Sequence, residues 1–287
     1  MGLVAVCCRA ASLSTAAITA NNKNHPPKVR ITLAMESLCP GCQELMLRQL
    51  FPIVLGPPDD YADFYIGLDY IDLTVLPFGN AMAPPSSSPN NTNDWQCQHG
   101  PGECDANVYE QCAIFLYRDT VPRYLPFLKC LDETLPMGYH NESFPTTVFA
   151  QCAQHAALDV ASLQACHDNT TLVQELQESN YQQTLALNHS YVPWIVVNDE
   201  PHDEATETNL LSSICHILQQ QFKKDAVLPR PCQNMFHTTT TSTTLDNNDN
   251  RSVCPKETTP FPLVDDTTAT TSRRRRRELR GRPQDTV

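Results

Sequence analysis

The chain has 287 residues, a formal net charge of −12 and thirteen cysteines. Its charge is uneven: residues 1–232 carry 11 Lys/Arg against 25 Asp/Glu, and residues 233–287 carry 9 against 7. An acidic body argues against nucleic acid as a partner, and no run approaches the eighteen apolar residues of a membrane span.

In chain order, residues 1–27 read as a leader. Gly2 to Cys8 is apolar, Arg9 interrupts it, and Ala10 to Ala20 is small and weakly apolar, the pattern of a weak signal peptide. An unrelated leader is the competing reading. Val29, Ile31, Leu33 and Met35 then alternate with Arg30, Thr32 and Ala34, which predicts a strand with one face on a core. It feeds Cys39-Pro40-Gly41-Cys42. Pro40 suits the first turn of a helix, and Leu45, Met46, Gln49, Leu50 and Ile53 continue that helix until Pro52 kinks or ends it. Phe64 to Leu76 reads as a second strand, and residues 84–93 as a polar loop. Residues 105–187 are helical in pattern, broken near Pro122, Pro126, Pro136 and Pro145. Tyr191 to Val197 is a short buried strand with Pro193 at its start, and Asp203 to Lys223 a last helix. These elements form one α/β domain over residues 28–232. Beyond it, residues 233–287 are Thr-rich and then Arg-rich, a composition that cannot bury a core. Arg273 to Arg277 reads as a solvated patch, with a processing site as the next reading.

A strand that runs into C-x-x-C at a helix start makes a reactive dithiol. The helix N-terminus offers unpaired N–H groups and partial positive charge, both of which favour a thiolate on Cys39. Cys39 would attack a substrate disulfide, and Cys42, one turn in, would resolve the mixed disulfide. An unshifted thiol is only about 0.03% thiolate at pH 5, so acid activity requires Cys39 to be tuned downward. The residues leave two other readings open: a structural disulfide, or half of a metal site completed by Cys97, His99, Cys104 and Cys112. We expect no metal, because those spacings match no common finger.

Five sequons, at Asn90, Asn141, Asn169, Asn188 and Asn250, accompany the cysteines and favour the secretory pathway. The run Cys97-Gln98-His99-Gly100-Pro101-Gly102-Glu103-Cys104, continuing to Asn107 and Cys112, is long and particular. With Cys39 and Cys42 upstream, it resembles the signature of the gamma-interferon-inducible lysosomal thiol reductase family. Pro77-Phe78-Gly79-Asn80-Ala81, Tyr191-Val192-Pro193-Trp194, Cys215 and Cys232 resemble family features too. The resemblance covers about residues 28–232.

It implies a thioredoxin-like fold with a helical, disulfide-bonded insertion before the Pro193 strand, where a cis-Pro193 faces the dithiol and helps bind substrate backbone. It implies Cys39 and Cys42 as the catalytic pair, disulfide-bonded proteins as substrates, a small thiol or dithiol as electron donor, and no bound cofactor. It also implies a lysosomal or vacuolar setting, or an extracellular one. Cys97, Cys104, Cys112, Cys130, Cys152, Cys166, Cys215 and Cys232 are expected to form structural disulfides. Cys152 with Cys166 and Cys215 with Cys232 are the expected pairs, each bracketing a short segment. His99, Glu103 and Asn107 are expected to hydrogen-bond or cap locally, with catalysis by His99 the minor reading. Cys254 is left over, either free or joining two chains. Two rival functions stand beside the reductase: an oxidase or isomerase with the same residues, and a secreted binding glycoprotein whose Cys39–Cys42 bond is inert.

Overall fold

The computed structural model describes residues 28–56, 64–82, 95–202, 209–222, 227–237 and 253–256. The leader, the 84–93 loop, Asn90, Asn250 and the Arg-rich run lie outside the described residues. Strand β1 (Val29–Met35) is central, with a parallel neighbour β2 (Ile71–Pro77). On its other side it pairs antiparallel with β4 (Trp194–Val197), which pairs antiparallel with β5 (Glu200–Pro201). The order β2-β1-β4-β5 follows from a crossover helix between parallel strands and a hairpin after them. The alternation read from the sequence is the burial pattern of β1: Val29, Ile31 and Leu33 are buried and Arg30 is exposed. Beyond Leu33 both faces are covered, so Ala34 and Met35 are buried as well.

Helix α1 (Pro40–Leu45) passes through a π-helical turn (Met46–Leu50) into α2 (Phe51–Val54). Pro52 was expected to kink or end this helix and does not. The wider turn, in which the Phe51 N–H reaches the Met46 carbonyl, precedes Pro52 and lets the helix continue. The second strand is shorter than expected, starting at Ile71 rather than Phe64, and Gly67 with positive φ lies in the connection before it. Pro193 splits the expected 191–197 strand into β3 (Tyr191–Val192) and β4, across a cis Val192–Pro193 bond.

Among the described residues, five helices stand between β2 and β3: α3 (Pro101–Tyr117), α4 (Val121–Thr134), α5 (Thr146–His155), α6 (Val160–His167) and α7 (Thr170–Ala186). Pro126 does not break α4 but sits inside it, among buried Tyr124, Leu125, Phe127 and Leu128. Tertiary packing there outweighs the lost hydrogen bond. Tyr109 stacks between Phe149 and His167, at centroid distances of 3.7 and 4.0 Å.

The disulfides follow the packing rather than the chain. Because α5 packs on α4 and α6 on α3, the bonds are Cys130–Cys152 and Cys112–Cys166. The expected Cys152–Cys166 pair is therefore incorrect: both cysteines face inward, but toward different helices. Cys97–Cys104 closes the loop before α3. Cys215–Cys232 joins α8 (Leu210–Gln221) to α9 (Arg230–His237), as expected. Helix α9 runs past the domain end expected at 232. Strand β6 (Cys254–Pro255) pairs with β3.

Candidate active site

The Cys39 motif sits where β1 ends. Cys39 caps α1, with Pro40 in the first turn and the Gln43 N–H on the Cys39 carbonyl at 3.0 Å. Gln43 also donates from Nε2 to the Ser37 carbonyl at 2.8 Å, fixing the strand–helix corner. Cys39 and Cys42 are both fully buried. The two do not bond to each other. Cys42 is a free thiol, and Cys39 is bonded to Cys254. This corrects two expectations: an inert Cys39–Cys42 disulfide, and a leftover Cys254. The correction has a physical cause, since the strand pairing of β6 with β3 places Cys254 opposite Val192. Val192 in turn adjoins Cys39, whose Sγ lies 3.8 Å from the Val192 carbonyl oxygen.

The long signature forms the facing wall. The Cys97–Cys104 bond and Gly100, at φ 90°, turn the chain sharply into α3. A side chain at position 100 would meet the His140 carbonyl oxygen at 2.6 Å, so the signature glycine is required twice over. The turn aims His99 into the cleft. Its Nδ1 is 2.6 Å from Glu103 Oε2 and 3.4 Å from Glu36 Oε2, and its Nε2 is 3.5 Å from Cys254 Sγ. Burial opposes charge on His99, but the hydrogen bonds it donates to Glu103 and then to Glu36 prevail and raise it to about 10. The imidazole is an imidazolium from acid to neutral pH. With Nδ1 committed as a donor to carboxylates, the trio acts as an ion-pair cluster.

Glu36 is fully buried, and burial followed by the charge of Glu103 raises it to about 7. Its Oε1 accepts from the Asn80 N–H at 2.6 Å. Gly79, at φ 54°, leaves no room for a Cβ against the Glu36 side chain, which accounts for glycine in the Phe78-Gly79-Asn80 turn. The Glu36 N–H points to Cys42 Sγ at 3.4 Å. Burial, then the charge of Glu36, pushes the Cys42 thiol well up.

Asn107 does not cap locally as expected: its Oδ1 accepts from the Ser37 N–H at 3.0 Å and the Ser37 hydroxyl at 2.6 Å, bracing the corner before Cys39. Glu103 does bond locally, to the His99 N–H at 3.0 Å. Sequence reasoning missed three site residues, Glu36, Asn80 and Gln98. Asn80 Nδ2 donates to Gln98 Oε1 at 2.8 Å and to the Cys254 carbonyl at 2.9 Å, and Gln98 Nε2 donates to the Pro255 carbonyl at 2.9 Å. Asn80 and Gln98 stood in the two motifs, and their polar side chains beside buried apolar residues were the available signal. The remaining disulfide cysteines bond among helices α3 to α6 and between α8 and α9. Asn141, Asn169 and Asn188 are exposed.

The family profile described as gamma interferon inducible lysosomal thiol reductase (GILT) matches residues 30–156. The chain is 31% identical over 205 residues to the gamma-interferon-inducible lysosomal thiol reductase of Mus musculus, covering 69% of this chain and 71% of that one. It is 30% identical over 209 residues to the gamma-interferon-responsive lysosomal thiol protein of Arabidopsis thaliana, covering 72% and 76%. Among solved structures, the reduced disulfide bond oxidoreductase DsbG of Mycobacterium tuberculosis aligns with a TM-score of 0.46 at 13% identity, over 75% of this chain and 86% of that one. Oxidised BdbD of Bacillus subtilis aligns at 0.42 and 12%, over 67% and 86%.

Proposed function

The chain belongs to the gamma-interferon-inducible lysosomal thiol reductase family, and from that premise we propose that Cys39 and Cys42 carry out its reaction with His99 as the proton donor. The protein is a thiol–disulfide oxidoreductase that reduces protein disulfides. In the reduced enzyme, the Cys39 thiolate attacks one sulfur of a substrate disulfide. A Cys39–substrate bond forms, the substrate bond breaks, and the departing sulfur takes a proton. Cys42 then attacks Cys39 Sγ and gives up its proton, which restores the one that His99 donates. The Cys39–Cys42 bond forms, and the substrate sulfur leaves and takes a proton from His99. A small dithiol returns Cys39–Cys42 to two thiols and is itself oxidised.

The observation that carries this reading is the 3.5 Å separation of His99 Nε2 from the sulfur bonded to Cys39. An imidazolium at that place stabilises a departing thiolate, whichever protein supplies it. The backbone of Val192 before Pro193 forms the opposite side of the cleft and binds the substrate segment. The partners are disulfide-bonded proteins and a small-thiol donor, and the setting is lysosomal or secretory, with glycans at exposed sequons such as Asn141, Asn169 and Asn188. No described helix is long and apolar enough to cross a membrane. The domain extends from residue 28 to about the end of α9.

The test is reduction of a denatured immunoglobulin fragment by the full chain, at pH 5 and pH 7, with a small dithiol as donor, beside Cys39→Ser. Cys39-dependent reduction at both pH values is expected. Reduction unaffected by Cys39→Ser would overturn the assignment. Activity at pH 7 alone would move the protein to the early secretory pathway.

A further inference from the structure

Residues 253–256 occupy the cleft in the manner of a bound peptide. Cys254 is bonded to Cys39 across 215 residues of sequence. Around that bond the segment is held as an added strand: Tyr191 pairs with Pro255, Val192 with Cys254, and the Lys256 N–H donates to the Ser190 carbonyl at 2.9 Å. Its carbonyls are also held. Asn80 Nδ2 reaches the Cys254 carbonyl and Gln98 Nε2 the Pro255 carbonyl, both at 2.9 Å. With the segment in place Cys39 is fully buried, so no second disulfide reaches its sulfur.

We propose that Cys254–Lys256 is a tethered substrate, held by the groups that hold substrate proteins. This rests on the reductase reading above. The cleft accordingly selects a cysteine in an extended segment that runs antiparallel to Tyr191–Val192. Asn80 and Gln98 take the carbonyls of that cysteine and of the next residue. Neither contact reads a side chain, which suits an enzyme acting on many unfolded proteins. The residue after the cysteine need not offer an N–H, since proline stands there. The residue two places after the cysteine, Lys256 here, stands at a cavity of about 260 Å³ lined by Phe78, Ala81, Tyr181, Leu185 and His189. Side-chain preference is expressed at that position.

Release of the tether is an exchange with no outside oxidant or reductant. Cys42 Sγ attacks Cys39 Sγ, the Cys39–Cys42 bond forms and the Cys39–Cys254 bond breaks. The Cys254 sulfur leaves and takes the equivalent of the proton that Cys42 gave up. The reverse exchange, in which the Cys254 thiol attacks Cys39 of the Cys39–Cys42 disulfide left by turnover, restores the tether, so the segment competes with the small dithiol for that sulfur and with every incoming substrate for the same amides.

Three measurements on the full chain test this. Peptide mapping without reductant is expected to find Cys39 linked to Cys254, and to find that link retained in Cys42→Ser, which cannot resolve it. Steady-state reduction of insulin by Cys254→Ser is expected to show a KM lowered about 10-fold, because the competitor is gone. A synthetic peptide of residues 251–258 should restore the inhibition. Asn80→Ala and Gln98→Ala should each raise the inhibition constant of that peptide about 10-fold and expose free Cys254 in the intact chain. An absent Cys39–Cys254 link together with an unchanged KM in Cys254→Ser overturns the tether while leaving the reductase standing. Peptide inhibition indifferent to both amide variants overturns the cleft assignment. Failure of wild type and Cys254→Ser alike to reduce insulin would instead overturn the reductase reading beneath it.

Discussion

The two cysteine motifs form opposite walls of one cleft, and they contribute different chemistry. The wall from β1 and α1 supplies the sulfurs: Cys39 at the helix cap and Cys42 one turn inside. The wall from the signature supplies no reacting sulfur, since Cys97 and Cys104 are bonded to each other. It supplies the imidazolium of His99 and the amide of Gln98, aimed by a closed loop and a glycine turn. A dithiol alone can exchange disulfides. What the second wall adds is a charged proton donor and a grip on the backbone beside the reacting cysteine.

The largest effects test the first wall. Cys39→Ser is expected to lower turnover at least 10³-fold. Cys42→Ser should do nearly as much while accumulating enzyme–substrate mixed disulfides, read on non-reducing gels. Accumulation in Cys39→Ser and not in Cys42→Ser would reverse the order of attack assigned to the two sulfurs.

The second wall is tested at His99 and Glu103. His99→Gln is expected to lower kcat about 10- to 100-fold at pH 5 and pH 7. Glu103 acts through His99, so Glu103→Gln has a different signature. Losing the negative charge of its carboxylate partner returns His99 toward 6.5. That histidine stays charged at pH 5 and loses its charge as pH rises through its lowered value. Glu103→Gln should then be near wild type at pH 5 and fall about 10-fold by pH 8. A loss of equal size at both values would mean that Glu103 only supports the fold.

Two disulfides sharpen the contrast between cleft and scaffold. The Cys97–Cys104 bond spans 7 residues and the Cys112–Cys166 bond 54. Loop entropy assigns them about 2.5 and about 4 kcal/mol of stability. Removing the first with a Cys97→Ser, Cys104→Ser pair should cost less stability but more activity, about 10-fold, because it frees the loop that aims His99. Removing the second should cost more stability and spare turnover in whatever fraction remains folded. Denaturant unfolding and kcat measured on the same samples separate the two, and parallel losses would erase the distinction.

The first wall was legible in the sequence and the second only in part. Alternation through Val29, Ile31 and Leu33, then C-x-x-C with Pro40, fixes strand, corner and helix by local rules. The signature announces itself by its length, but what His99 faces depends on β6, whose partner strand lies far away in the chain. Pairing among the cysteines of the helical insertion was illegible for the same reason, although Cys215 with Cys232 was read correctly. Short separation favours Cys152 with Cys166, whereas helix packing selects Cys130 and Cys112. Pro52 and Pro126 misled because helix breaking is a local penalty that a π turn and a packed core absorb. Cys254 was visible only as an odd cysteine, a matter of parity that carries no position.

The smallest expected effect lies in the helical insertion. Glu110 on α3 and Asp132 on α4 are both buried. Burial raises Glu110 to about 8, and burial followed by the charge of Glu110 raises Asp132. A carboxyl raised in the folded state favours folding while it is protonated. Its contribution is whole below the unfolded value near 4.5 and is lost as pH climbs to the folded value. His99 adds in the same direction, since its raised state is lost between about 6.5 and 10. The protein should therefore be more stable at pH 5 than at pH 8, which suits an acidic compartment. A fully differential proton is worth about 1.4 kcal/mol per pH unit. Glu110→Gln should flatten the fall in unfolding free energy between pH 5 and pH 8 by up to one such proton, while insulin reduction at pH 5 changes less than about threefold. An unaltered slope would assign the pH dependence to Asp132 or to Glu36 and His99 in the cleft rather than to Glu110.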